Sequence, residues 1–176
     1  MKIMQKTIFT LMLCSGVVQA SNSTPYAGQE LRSVKALSVT EIEGLLAGKG
    51  MGMAKAAELN HYPGPIHVLE VKKDLGLSQE QQQQTEQLFN AMKKEAVRVG
   101  QLIIDEEQRL DQLFSSTTIT DEQLKSGLVK LAKLRGELRY IHLRTHLKQK
   151  AVLSKEQIQH YDRLRGYRSH NGHHGH

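Results

Sequence analysis

The sequence predicts an all-α fold built on a long antiparallel helical hairpin with short flanking helices. Three observations predict it. Apolar residues recur at spacings of three and four along two long segments. Four segments open with a hydroxyl residue followed three positions later by Glu or Gln, the pattern that caps a helix N-terminus. No stretch alternates apolar and polar residues as a half-buried strand would.

The chain begins with a different kind of segment. Lys2 and Lys6 precede an apolar run from Ile8 to Val18, and Val18-Gln19-Ala20 suits signal peptidase, so residues 1–20 read as a signal peptide cleaved after Ala20. Lipid attachment at Cys14 fits poorly, because Leu11-Met12-Leu13 lacks the small residues such a site requires. The run is too short to span a membrane, and nothing later is long and apolar enough. The implied location is the bacterial periplasm. Cleavage removes the only cysteine, so cohesion there must come from packing or from metal rather than from disulfides.

Residues 21–37 are polar and small and read as a flexible lead-in, ahead of a helical domain over 38–167 and a disordered, His-rich tail over 168–176. Ser38 to Glu41 is the first capping box, ahead of Ile42, Leu45 and Leu46. The helix it opens weakens over the Gly-rich residues 48–53 and resumes through 54–59. Tyr62-Pro63-Gly64-Pro65 is a turn, with Pro65 placed to begin the next helix, which is expected to reach Leu75 and stop at Gly76. Ser78 to Gln81 opens the longest periodic segment, with Leu88, Met92, Ala96, Val99, Ile103, Leu110 and Phe114 on one face. Thr120 to Gln123 opens the second, with Leu124, Leu128, Leu131, Leu134, Leu138 and Ile141 as its stripe, and Ser154 to Gln157 opens a last short helix ending near Gly166.

Charge is segregated between the two long segments. Ser78 to Glu122 holds four basic residues against nine acidic, and Lys125 to Arg168 twelve against three. Folded back on each other, an acidic helix lies beside a basic one, which selects register more than it stabilises, since exposed pairs contribute only about 0–1 kcal/mol each. Removing the two leader lysines from a formal charge of +6 leaves a mild +4, and aromatic residues make up only 5 % of the chain, so no nucleic-acid partner is expected. A two-helix core this thin predicts a homodimer.

Leu77-Ser78-Gln79-Glu80-Gln81 recurs as Leu153-Ser154-Lys155-Glu156-Gln157, both reading L-S-x-E-Q, and each follows a histidine-bearing helix. In these paired motifs the chain resembles the bacterial family defined by two L-T-x-x-Q motifs, whose members include the Spy and CpxP periplasmic chaperones and the metal-associated ZraP and CnrX proteins. Ser replaces Thr in both copies, a conservative change at a cap. The stretch from Gly50 to Asn60 followed by Tyr62-Pro63-Gly64-Pro65 is similar to exported members linked to heavy metals. The resemblance implies a cradle-like helical hairpin dimer without catalytic activity. It also implies partners among unfolded envelope proteins or a stress-sensing membrane protein.

Several side chains are equipped for such roles. Leu77, Ser78 and Gln81, and Leu153, Ser154 and Gln157, form the two caps of the repeated motif. His142 and His146 stand one turn apart on a helix, the spacing that presents two imidazoles to one metal ion. By helix angle they align with Leu124 and Leu128, beside the packed stripe. His67 holds a comparable position before the first motif, with Glu70 one turn on. His67, Glu70, His142 and His146 together would suit a Zn, Ni, Co or Cu ion. His170, His173, His174 and His176 in the tail offer looser metal capture. Met51 and Met53 are soft enough for Cu(I), though in a Gly-rich stretch such methionines more often serve adaptable packing. Val129, Tyr140, Leu143 and Leu147 make a second apolar strip flanked by Lys125, Lys133 and Arg139, which serves either as a client-binding surface or as the dimer interface. The parts of an enzyme site are missing: no nucleophile stands with a base and there is no phosphate loop. The Asp105-Glu106-Glu107 run reads as a solvated face. The expected function is an ATP-independent periplasmic chaperone or envelope-stress modulator with a metal-responsive element, and the alternative is a heavy-metal sensor or scavenger.

Overall fold

The computed structural model describes residues 24–167, and over them the chain is helical with no strand. It divides into two compact units, Met1–Glu30 and Leu31–His176. Of the first, residues 24–30 are described, as turns closed by backbone bonds from Ala27 to the Thr24 carbonyl (3.1 Å) and from Gln29 to the Tyr26 carbonyl (3.0 Å). The second holds α1 (Val39–Leu46), α2 (Lys55–Glu58), α3 (Pro65–Glu70), α4 (Gln79–Ser115), α5 (Asp121–Val152) and α6 (Lys155–Leu164). No described helix is long and apolar enough to cross a membrane.

The helix starts follow local chemistry. Ser38, Ser78, Thr120 and Ser154 each accept a hydrogen bond from the amide three residues on, and the side chain there reaches back to the cap amide. Pro65 sits in the first turn of α3, where its missing N–H costs nothing.

Packing of α4 on α5 makes the body of the domain. Glu95 pairs with Arg144, Arg98 with Glu137 (2.6 Å), Glu107 with Arg135 (2.8 Å) and Glu106 with Lys130 (2.8 Å), so contacts step backward along α5 as they step forward along α4. Between them Met92, Ala96, Val99, Ile103 and Leu110 meet Leu131, Leu134, Leu138 and Ile141 in one apolar core. A polar rung closes one end: Gln149 donates to Thr85 (3.1 Å), which donates to the Gln81 carbonyl (2.7 Å), and both Gln149 and Thr85 are fully buried. α1 lies on α4 and α2 on α5, while α3 touches both long helices. A smaller apolar cluster of Val68, Leu75, Leu153 and Tyr161 ties α3 to α6 and to the segments before α4 and α6.

Five expectations need correction. The lead-in over 21–37 is anchored at its end, because Val34 and Leu37 are only 1 % and 2 % exposed and join the main core, and Lys35 pairs with Asp111 (2.9 Å). The helix begun by Pro65 stops at Glu70 rather than Leu75. The chain then turns, with Leu75 donating to the Val71 carbonyl (3.0 Å) and Gly76 left-handed at φ 59°, a course that delivers Leu75 to the smaller cluster. Phe114 is 55 % exposed: the buried stripe ends at Leu110 on α4 and begins at Gly127 on α5, so Phe114 lies past the seam. Leu128 is 52 % exposed although His146, at the same helix angle, is buried, because α2 and α3 cover α5 only near its far end. Glu106 is not solvated; it is 1 % exposed and held between Arg109 (2.6 Å) and Lys130 (2.8 Å), whose hydrogen bonds keep its carboxyl below the usual range against the opposing effect of burial.

Candidate functional site

Where α2 and α3 meet the α4–α5 pair, a cavity of about 660 Å³ opens beneath the Gly-rich loop of residues 48–53. The loop can turn there because Gly48 and Gly52 adopt φ of 64° and 79°. Met51 follows at φ 42°, a conformation that costs a residue with a side chain on the order of 1 kcal/mol. Phe89 and Met92 from α4, Ile66 and His67 from α3, and His142 and His146 from α5 supply much of the remaining wall. Three histidines from two distant stretches of sequence therefore face one space.

Beside it lies a carboxylate hub. Glu58 is 8 % exposed and accepts from the Gly64 amide (3.0 Å), His67 Nδ1 (3.2 Å), Tyr167 Oη (3.1 Å) and Tyr161 Oη. Burial alone would raise its carboxyl, but the hydrogen bonds from His67 and Tyr161 and the nearby imidazoles outweigh that and hold it at about 2. Tyr161, wholly buried, is pushed well above the usual phenol range by burial and by its bond to this carboxylate. One acidic side chain thus joins α2 to α3, the α3 approach turn and α6.

Two imidazoles are oriented by their Nδ1 contacts. His146 donates from Nδ1 to the Tyr62 carbonyl (2.7 Å), with Glu58 farther off at 3.6 Å, which leaves Nε2 as the ring nitrogen without that bond. His67 is oriented in the same way by its Nδ1 bond to Glu58 (3.2 Å). Gly64 is required beside them, since a Cβ there would fall 2.9 Å from His146 Cε1. His142 is 4 % exposed, its Nε2 has no hydrogen-bond partner, and burial, with His146 nearby, lowers its basicity so that it stays neutral.

His67, His142 and His146 of the candidate metal set line this cavity. Glu70 does not: its side chain points out to Arg165 (3.4 Å) at an exposed edge, and Glu58 takes the acidic place beside His67. Among the described residues no three His, Cys, Asp or Glu side chains are gathered as a ready ligand set. Met51 reaches the cavity, whereas Met53 packs on the main core. His170, His173, His174 and His176 lie outside the described residues, as does the signal peptide.

The repeated motifs meet directly. Gln81 Nε2 donates to Gln157 Oε1 (2.8 Å) and Gln157 Nε2 to Gln81 Oε1 (3.1 Å), while Gln81 also donates to the Val152 carbonyl (2.9 Å). Leu153 is buried in the smaller cluster and Leu77 packs against it. Each motif thus caps its own helix and clasps the other copy.

On α5 the second strip is bare. Val129, Tyr140 and Leu147 are 49 %, 61 % and 59 % exposed, Leu143 is half-buried, and Lys125, Lys133 and Arg139 are exposed beside them. The Arg144 guanidinium lies over the Tyr140 ring, 5.4 Å from its centroid.

Sequence reasoning missed Glu58, Tyr161 and Tyr167. Glu58 sits on a four-residue helix without periodicity, and its only signal was an acid placed just ahead of the Tyr-Pro-Gly-Pro turn. Comparison with known proteins gives no matching family model, no matching curated protein and no matching solved structure.

Proposed function

We propose that the chain is an exported, non-enzymatic protein of the bacterial envelope that holds partly unfolded chains without ATP, as a chaperone or stress modulator of the Spy/CpxP type. The observation that carries this reading is the exposed strip on α5. Val129, Tyr140 and Leu147 share one face over about 27 Å of helix, and the cations beside them favour acidic, partly apolar segments. A rigid helix of this kind holds a client through many weak contacts and releases it without an energy source. The paired L-S-x-E-Q motifs and the leader-like sequence of residues 1–20 support the same reading, which includes a homodimer in which two α4–α5 hairpins line a cradle.

The test is suppression of aggregation of a reduced, unfolded secreted protein. Val129→Ser/Tyr140→Ser/Leu147→Ser is expected to lower the protection by about fivefold or more while leaving the thermal melt unchanged, because exposed side chains contribute little to folding. Unaltered protection in that variant would remove α5 from the account, and a shift from dimer to monomer would assign the strip to the subunit interface.

A second reading, a metal-responsive element or a heavy-metal sensor, is favoured by one specific observation. His67 and His146 both spend Nδ1 on a carboxylate or carbonyl, the arrangement that orients an imidazole to bind a metal through Nε2. On this reading His67 and His146 would supply two imidazoles to a Zn, Ni, Co or Cu ion, with water completing the coordination. Calorimetric titration with Zn²⁺ of protein lacking residues 169–176 should give one site, weakened about tenfold or more in His67→Ala/His146→Ala. Loss of all binding on removing the tail alone would place the metal in the tail.

A further inference from the structure

We infer that the cavity beneath the Gly-rich loop is a binding site for an amphipathic organic anion, a monocarboxylate with an apolar body of roughly ten carbons. Its volume of about 660 Å³ is in the range that takes organic ligands rather than a lone ion. The walls are chiefly apolar: Phe89, Met92, Pro65, Ile66 and Leu59 offer carbon surface from three sides. These carbon walls favour burial of a hydrocarbon chain or ring at about 25 cal/mol per Å², whereas any coordination of an ion is confined to the histidine side of the cavity.

The mouth is cationic. Lys49 from the loop, Lys55 from α2 and Lys93 from α4 line the opening and are exposed, and among the described residues none of the three is in an ion pair. Three ammonium groups from separate segments outnumber the one carboxylate in the lining, Glu58, whose oxygens are already taken by four donors, and so raise the local concentration of anions. The cavity's one buried, unpartnered polar side chain among its described histidines is His142, 4 % exposed with Nε2 unbonded. A neutral imidazole in an apolar wall is compatible with an organic guest and adds a polar contact without adding charge.

The loop itself permits a direct test. Gly50 has an ordinary backbone conformation, and a Cβ there would lie 3.8 Å from His142 Nδ1, an unstrained contact directed into the cavity. Gly50→Leu therefore starts its side chain without backbone strain on the His142 side of the cavity. Calorimetric titration of the full chain with decanoate should show one saturable site. Gly50→Leu should weaken it by about tenfold or more, and so should Lys49→Glu/Lys55→Glu/Lys93→Glu, since three rim charges each contribute a modest share. Decanol should respond to the first variant and not to the second. Zn²⁺ should bind the charge-reversed protein no more weakly than the original, which separates this site from the metal reading. Thermal melts close to that of the unaltered protein certify both variants as folded. The proposal is overturned if decanoate fails to bind, if neither cavity variant weakens it, or if binding is lost instead in Tyr140→Ser/Leu147→Ser, which would place the anion on the outer face of α5.

Discussion

Glu58→Ala is expected to destabilise the protein by about 3–5 kcal/mol, the range found when one partner is removed from a buried charged network. Four donors converge on this carboxylate: the Gly64 amide, His67 Nδ1, Tyr161 Oη and Tyr167 Oη. Alanine leaves the Tyr161 hydroxyl, on a residue with no exposed surface, without its acceptor. The same contacts set a pH dependence. The folded-state carboxyl at about 2 lies below its unfolded value of roughly 4.3, so its stabilisation is complete above that value and is lost as pH falls towards 2. Urea unfolding at pH 7 and pH 3 checks both points. The original protein should lose stability between the two, and Glu58→Gln, weaker at pH 7, should lose less. Equal losses would show that the carboxylate is not held in its ionised form.

Gly100→Ala should cost about 2–3 kcal/mol, against the usual rule that alanine strengthens a helix interior by roughly 1 kcal/mol. The reason lies in α1. A Cβ on Gly100 would fall 2.5 Å from the Leu45 carbonyl oxygen and 2.9 Å from its carbon, and backbone cannot swing aside as a side chain can. The substitution pushes α1 off α4 and opens the core around Leu45. Gly136→Ala is the matched control, a helical glycine on α5 with no atom within 4 Å of the added carbon. It should stabilise by about 0.5–1 kcal/mol. Thermal melts of the two variants should therefore move in opposite directions.

These residues also mark what could be read before the structure. The capping boxes at Ser38, Ser78, Thr120 and Ser154 were legible because each is a hydrogen-bond circuit closed within four residues. The facing stripes were legible where both helices supply cover, from Met92 to Leu110 and from Leu131 to Ile141. Phe114 and Leu128 belong to the same periodicity but lie where no neighbour covers them, and periodicity carries no information about cover. The convergence of His67, His142 and His146 on one cavity followed from the register of the two motifs. Glu58 escaped because its partners, at 64, 67, 161 and 167, are gathered by the fold and not by any spacing. Glu70 shares a helix face with His67 by spacing, but the helix ends at Glu70 and that side chain turns outward to Arg165.

That an unfolded chain rests on the outer face of α5 is tested most directly by site-specific photocrosslinking. With the photoreactive residue at Tyr140 or Leu147, an unfolded secreted protein should be captured in high yield, and its folded form should not. The same residue at Leu102 of α4, an exposed apolar position off this face, should capture little. Equal capture from both helices, or capture from α4 alone, would contradict the account.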